Sequence, residues 1–172
     1  MKEKIFIEGR KKLSGAIPIS GAKNSCLTLM PASLLSECAL TLNNVPNLSD
    51  VETMNTLLRS LGCVVHYQKA DKTLNLKTSD ECLFLADYDI VKKMRASILV
   101  LGPLLARHGQ AMVALPGGCA IGARPINLHL MALEALGARF SIENGYVKGK
   151  VGSRLKGCKI EFPFQSVGAT AN

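Results

Sequence analysis

The sequence predicts an α/β fold built from a strand-and-helix unit that occurs more than once. Three observations carry that prediction. Apolar helical stretches alternate with strand patterns along the 172 residues. Short matches recur at near-constant spacing: Leu34-Leu35 with Leu104-Leu105 and Pro46 with Pro116 at an offset of 70 residues, and Leu61-Gly62 with Leu136-Gly137 at an offset of 75. A third copy then opens, where Leu155-Lys156-Gly157-Cys158 resembles Leu13-Ser14-Gly15-Ala16 and Ser166-Val167-Gly168-Ala169-Thr170 resembles Ser20-Gly21-Ala22-Lys23. A unit of this kind cannot bury its apolar face alone, so the chain is expected to be part of a longer protein that continues into the third helix.

Taken in order, Ile5–Glu8 and Gly15–Ser20 alternate around the turn Gly9–Lys12 and predict two short strands. A helix over roughly Lys23–Ser36 is apolar almost all round (Leu27, Leu29, Met30, Ala32, Leu34, Leu35), the composition of a buried helix. Ser20, Lys23, Asn24 and Ser25 stand at its amino end, where unpaired N–H groups favour an anion and Lys23 adds a full charge. The alternative is that Ser20 caps the helix and Lys23 is a solvated first-turn residue. Ala39–Val45 reads as a strand and Pro46–Ser49 as a turn. Asp50–Leu61 reads as an amphipathic helix with Val51, Met54, Leu57, Leu58 and Leu61 on one face, Asp50 in its first turn or at its cap, and Gly62 ending it. Strands follow at Val64–Gln68 and Thr73–Lys77 across the turn Lys69–Lys72. The second copy runs as a helix over about Tyr88–Arg107, a strand at Gln110–Leu115, a helix over about Ile126–Leu136 stopped by Gly137, and strands at Arg139–Glu143 and Tyr146–Val151.

Composition narrows the function. With 48% hydrophobic and 20% charged residues, the chain can bury a sizeable core. It contains no run of the roughly 18 uninterrupted apolar residues that a membrane span needs. The amino terminus alternates where a signal peptide would carry an apolar run, so a cytoplasmic protein with no membrane partner is expected. Six cysteines, Cys26, Cys38, Cys63, Cys82, Cys119 and Cys158, form no CxxC pair and have no histidine at metal-ligand spacing. That argues against a disulfide framework and a zinc site, and all but Cys119 read as structural. The net charge of +8 attracts polyanions, but the cations are dispersed, Trp is absent and only three Tyr could stack on bases, so nucleic acid is not expected as a partner. A small phosphate- or carboxylate-bearing substrate needs only a few converging cations. His66, His108 and His129 read as surface or core residues.

The stretch Leu115–Leu128 holds the most chemistry. Gly117, Gly118 and Gly122 surround Cys119, and Arg124 stands next to Pro125 at the start of a helix. A nearby cation favours the thiolate, the reactive form of cysteine; alternatively the thiol is a small apolar filler in a Gly-rich turn. The step in repeat offset from 70 to 75 places five inserted residues between Pro116 and the second-copy helix. A loop added to a regular repeat is where function is usually grafted, which favours a functional Cys119.

Ser20-Gly21-Ala22-Lys23-Asn24, Lys92-Lys93-Met94-Arg95-Ala96-Ser97, the run from Leu115 to Pro125 and Ser166-Val167-Gly168-Ala169-Thr170 together resemble the UDP-N-acetylglucosamine 1-carboxyvinyltransferases, the MurA-type enolpyruvyl transferases of bacterial peptidoglycan synthesis. The likeness covers essentially the whole chain and corresponds to roughly the amino-terminal two fifths of that family. It implies an inside-out α/β barrel of repeated strand-helix units, incomplete in this chain. Residues 1–20 would pack with the missing carboxy-terminal domain, and residues 21–172 would form most of one three-repeat domain. It also implies transfer of the enolpyruvyl group of phosphoenolpyruvate to the 3'-hydroxyl of UDP-N-acetylglucosamine, by addition and elimination, without metal or other cofactor. By this resemblance Cys119 is the loop cysteine that acts as general acid toward the enol carbon, forms a covalent phospho-adduct and is alkylated by fosfomycin. Lys23 and Asn24 match the phosphoenolpyruvate-binding pair, and Arg95 and Arg124 match arginines that hold anionic groups of the substrates. Pro125, Ile126, Asn127 and Leu128 match the segment along the uridine, and Ser166, Val167 and Gly168 a loop meeting the diphosphate.

Two features depart from the family pattern. Phe164 and Gln165 precede Ser166 where the family often has a lysine, and Asn127 stands where an aspartate is common. The family's second half supplies the aspartate that deprotonates the sugar hydroxyl and a further arginine for phosphoenolpyruvate, so this chain alone is expected not to turn over. The alternative reading is a truncated, non-catalytic binding or regulatory module of the same fold. The related shikimate-pathway enolpyruvyl transferase shares the fold, but a cysteine within Gly117-Gly118-Cys119-Ala120-Ile121-Gly122 is not its pattern.

Overall fold

The first unit begins with α1 (Lys23–Leu29), which continues as a 3₁₀ turn over Met30–Leu35. The computed structural model describes residues 4–10, 12–79, 82–86, 88–91, 94–115 and 126–172. Pro31 has no N–H to donate to Leu27, and the helix tightens there. Cys26, Leu27, Met30 and Leu34 enter the core, whereas Leu29 and Leu35 are about half exposed. The helix is therefore buried on one face, not all round.

β1 (Leu40–Leu42), α2 (Ser49–Ser60), β2 (Cys63–Gln68) and β3 (Thr73–Thr78) complete this unit. α2 turns Val51, Met54, Leu57 and Leu58 inward at helical spacing. Its N-cap position is Leu48, so Asp50 lies in the first turn, where its charge favours the positive end of the helix. Gly62 ends it at a φ of 93°, as Gly137 ends the matching helix of the second unit at 104°; a side chain at either position would be strained. The three strands form an antiparallel sheet in the order β1-β3-β2, with Leu40 opposite Leu76 and Cys63 opposite Thr78. Alternation along β3 sends Leu74, Leu76 and Thr78 inward. The buried Thr78 hydroxyl donates to the Ser33 carbonyl at 2.7 Å, which ties the sheet to the 3₁₀ turn.

The second unit repeats this order. Its strands β5 (Gln110–Ala114), β6 (Ala138–Glu143) and β7 (Tyr146–Val151) are arranged β5-β7-β6, with the short β4 (Leu85–Ala86) added parallel to β5. The expected continuous helix over Tyr88–Arg107 is instead α3 (Tyr88–Val91), a 3₁₀ turn over Arg95–Val100 and α4 (Leu101–His108). Pro103 explains the restart, because only the first turn of an α-helix tolerates a missing N–H. α5 (Asn127–Ala135) follows β5, and α6 (Val167–Ala171) lies where the third-copy helix is expected. The two units are clasped by Arg107, whose Nη1 donates to the carbonyls of Leu34 at 3.2 Å and Ser36 at 3.0 Å.

The two amino-terminal strands do not form among the described residues. Residues 4–10 and 12–20 are without strand pairing, and Ile5, Phe6 and Ile7 are almost fully exposed. A strand needs a paired neighbour for its backbone groups and a core for its apolar face; residues 4–10 and 12–20 find neither a partner strand nor a core.

Candidate functional site

Four elements converge on one cavity of about 460 Å³. α1 contributes Asn24, Leu27 and Thr28, and the 3₁₀ turn before α4 contributes Arg95, Ala96, Ile98 and Leu99. Ile126 and His129 come from the start of α5, and Ser166, Val167 and Gly168 from the start of α6. Residues separated by up to about 140 positions therefore share a wall because the fold brings α1, the 3₁₀ turn before α4 and the starts of α5 and α6 together.

This cavity gathers Asn24, Arg95, Ile126, Ser166, Val167 and Gly168, all singled out from the sequence. Ser166 also has a local role, since its Oγ accepts the Ala169 N–H at 3.3 Å and so caps α6. Lys23 does not line the cavity. Its ammonium lies 2.9 Å from Asp50 Oδ2, with both side chains more than a third exposed. Ser20 does not cap α1, whose N-cap position is Ala22. Asn127 is exposed, and Leu128 packs inward. Cys119, Arg124 and Pro125 lie outside the described residues. Phe164 and Gln165 are exposed beside Ser166.

His129 is the residue that motif reasoning missed. A signal was present: it stands three positions after Ile126, so a helix starting there sets both on one face. Its ring is half-buried, and burial pushes its pKa below the usual histidine value.

Among the other cysteines, Cys26 and Cys63 are buried and burial pushes their thiols up, as core residues should behave. Cys38 and Cys158 are exposed, and the Cys158 thiol donates to the Ala135 carbonyl at 3.3 Å. A larger open hollow of about 1110 Å³ lies on the β6–β7 face, among Arg139, Lys150, Arg154 and Lys156. None of the described candidate site residues lines it, and convergence of those residues is the better guide to a site than volume.

The comparisons with known proteins bear on this geometry. The family model described as EPSP synthase (3-phosphoshikimate 1-carboxyvinyltransferase) matches residues 7–172. The chain belongs to this family of carboxyvinyltransferases. Within it, the chain is 60% identical over 170 residues to the UDP-N-acetylglucosamine 1-carboxyvinyltransferase of Dinoroseobacter shibae, and 57% identical to that of Ruegeria pomeroyi. In both cases the match covers 99% of this chain and 40% of the relative, so the chain spans about two fifths of the length of those curated relatives. Among solved structures, the enolpyruvyl transferase NikO from Streptomyces tendae aligns at a TM-score of 0.72 and 25% identity, over 86% of this chain and 32% of that one. An EPSP synthase from Acinetobacter baumannii aligns at 0.68 and 15% identity, over 91% and 36%, which speaks for the fold. The fold is that of the enolpyruvyl transferases, with no closed barrel among the described residues. Among the same residues, no helix is long and apolar enough to cross a membrane.

Proposed function

We propose that this chain is the cysteine-bearing part of an enzyme that transfers the enolpyruvyl group of phosphoenolpyruvate to the 3'-hydroxyl of UDP-N-acetylglucosamine, the first committed step of peptidoglycan synthesis in the cytoplasm. The observation that carries this reading is the 60% identity along 99% of the chain to a protein of that name. In the addition step the sugar oxygen bonds to the central carbon of phosphoenolpyruvate while the Cys119 thiol delivers a proton to the methylene carbon. Elimination then expels phosphate as that carbon gives a proton back. A thiol suits the exchange because its pKa lies close to the working pH.

Arg95 and Arg124 supply permanent planar cations for the anionic groups of the substrates, and Ile126, Ser166, Val167 and Gly168 frame the nucleotide sugar, with Pro125, Asn127 and Leu128 continuing its uridine side. Lys23, with Asn24, serves phosphoenolpyruvate. Its exposed pairing with Asp50 is of the kind worth at most about 1 kcal/mol, so a phosphate can recruit it cheaply. Residues 1–20 pair with strands outside this chain, residues 21–172 form most of a three-repeat domain, and the rest of the enzyme supplies the base for the sugar hydroxyl.

The test is intact-mass analysis after incubation with fosfomycin, with and without UDP-N-acetylglucosamine. The reading expects one adduct, mapped to Cys119 and formed faster with the nucleotide sugar. Modification of Cys119 by a general thiol reagent, with no fosfomycin adduct under either condition, would count against it.

A further inference from the structure

We infer that His129 serves the cavity as a neutral hydrogen-bond donor, its Nε2–H directed at an acceptor oxygen of the bound ligand, and that Asn172 is the positioning residue that fixes this tautomer. The ligand named below rests on the nucleotide-sugar reading above.

The tautomer follows from a chain of hydrogen bonds whose direction is settled at its far end. The backbone N–H of Gly102 can only donate, and it lies 2.9 Å from Asn172 Oδ1. That contact orients the amide. Asn172 Nδ2 is then left facing the Ile98 carbonyl at 3.2 Å and His129 Nδ1 at 3.0 Å, and both of its hydrogens are used. An amide nitrogen offers no lone pair, so His129 Nδ1 must accept and the ring proton must sit on Nε2.

Protonating the ring would set an Nδ1–H against the amide hydrogen, so the same contact that selects the tautomer opposes the imidazolium. Half-burial of the ring acts in the same direction.

The other edge of the ring faces the cavity. A Cβ placed on Gly168 would lie 3.6 Å from His129 Nε2 and 3.7 Å from Cε1, so this edge looks onto the first turn of α6 across the space that glycine leaves open. Among the described residues Nε2 has no protein acceptor. It shares the wall with Arg95 and Ser166. A neutral donor in the same cavity as a guanidinium adds direction without adding charge, which is how a site reads the geometry of an oxyanion.

Nitrogen-15 labelling of the histidines in the whole 172-residue chain tests both parts through long-range proton–nitrogen correlation spectra. In the free chain His129 Nδ1 is expected in the unprotonated range and Nε2 in the protonated range across neutral pH. The opposite assignment, or a doubly protonated ring, overturns the clamp. On titration with UDP-N-acetylglucosamine, Nε2 and its attached hydrogen are expected to shift together with the backbone amides of Val167 and Gly168. Shifts in those amides without one at Nε2 overturn the role of His129 and leave the nucleotide-sugar reading standing. No shift in either overturns both. His129→Gln, which keeps an N–H donor, should retain most affinity, whereas His129→Leu should lose about fivefold to tenfold, the scale of one neutral hydrogen bond. Asn172→Leu should return the free ring to a mixture of tautomers. If that variant fails to fold, the wild-type spectra still decide the matter.

Discussion

Gly102→Ala is a sharp test of how the fold holds the cavity. A Cβ at this position would fall 2.1 Å from the Asn172 carbonyl oxygen and 2.8 Å from its Oδ1, well inside the 3.0 Å that real Cβ contacts respect. One side must give by about 1 Å, and close-packed helices yield less readily than exposed ones. Leu101, Leu104 and Leu105 anchor α4 with 1% exposure or less, whereas α6 is five residues long with Ala169 as its buried residue, so α6 moves. Two opposing effects act on stability. Alanine in a helix interior is favoured over glycine by about 0.5–1 kcal/mol, and the loss of the two Asn172 bonds to the backbone of Gly102 and Ile98 costs about 1 kcal/mol each. Urea unfolding should therefore show a net change of only about 1 kcal/mol. Hydrogen exchange should nonetheless show α6 amides losing protection, and calorimetry should show affinity for UDP-N-acetylglucosamine falling about tenfold or more, the equivalent of about 1.4 kcal/mol. A variant that binds as well as wild type with α6 still protected would refute the reasoning.

Four further outcomes are expected. Arg107→Met should destabilise the chain by about 2–3 kcal/mol in urea unfolding, because charged donors to two carbonyls are lost and the Leu34 carbonyl belongs to a fully buried residue. Glu37→Gln should be nearly silent in the same assay, since the carboxylate is 82% exposed and stands 3.9 Å from Arg107. Stability should fall as pH rises above about 8.5, because the thiols of Cys26 and Cys63 are pushed up by burial: unfolded thiols ionise first, and the preference for the folded chain is lost until pH passes the folded pKa. Tyr67 and Lys69, also raised, act in the same direction, so the informative readout is the smaller slope of Cys63→Ala between about pH 8 and 10. Among the described cysteines, thiol mapping under native conditions should label Cys38 and Cys158 before the others, and Cys26 and Cys63 only on unfolding.

Much of the architecture was legible because its signals are local. The hairpin strands of both units and the helices α2 and α5 follow from alternation and helical spacing, with glycines at 62 and 137 marking matching ends. Periodicity cannot distinguish α from 3₁₀, so the breaks at Pro31 and Pro103 needed attention to a missing N–H. The alternating stretch before residue 20 shows the limit of pattern: alternation states which face wants burial, and only a neighbour can bury it. At the cavity, Asn24, Arg95, Ile126 and Ser166–Gly168 were legible as motif residues. His129 was not, since its role depends on Asn172, 43 positions away, and pairings at that range leave no mark on a single sequence.

The clasp between the units has a kinetic side. Each hairpin closes over a short turn and can form on the microsecond scale, but Arg107 meets Leu34 across 73 positions. Closing so long a loop carries an entropic cost that must be met before the contact repays it. Docking of α4 against the Met30–Leu35 turn is therefore expected to be slower than closure of either hairpin, and slower still where the clasp is weakened.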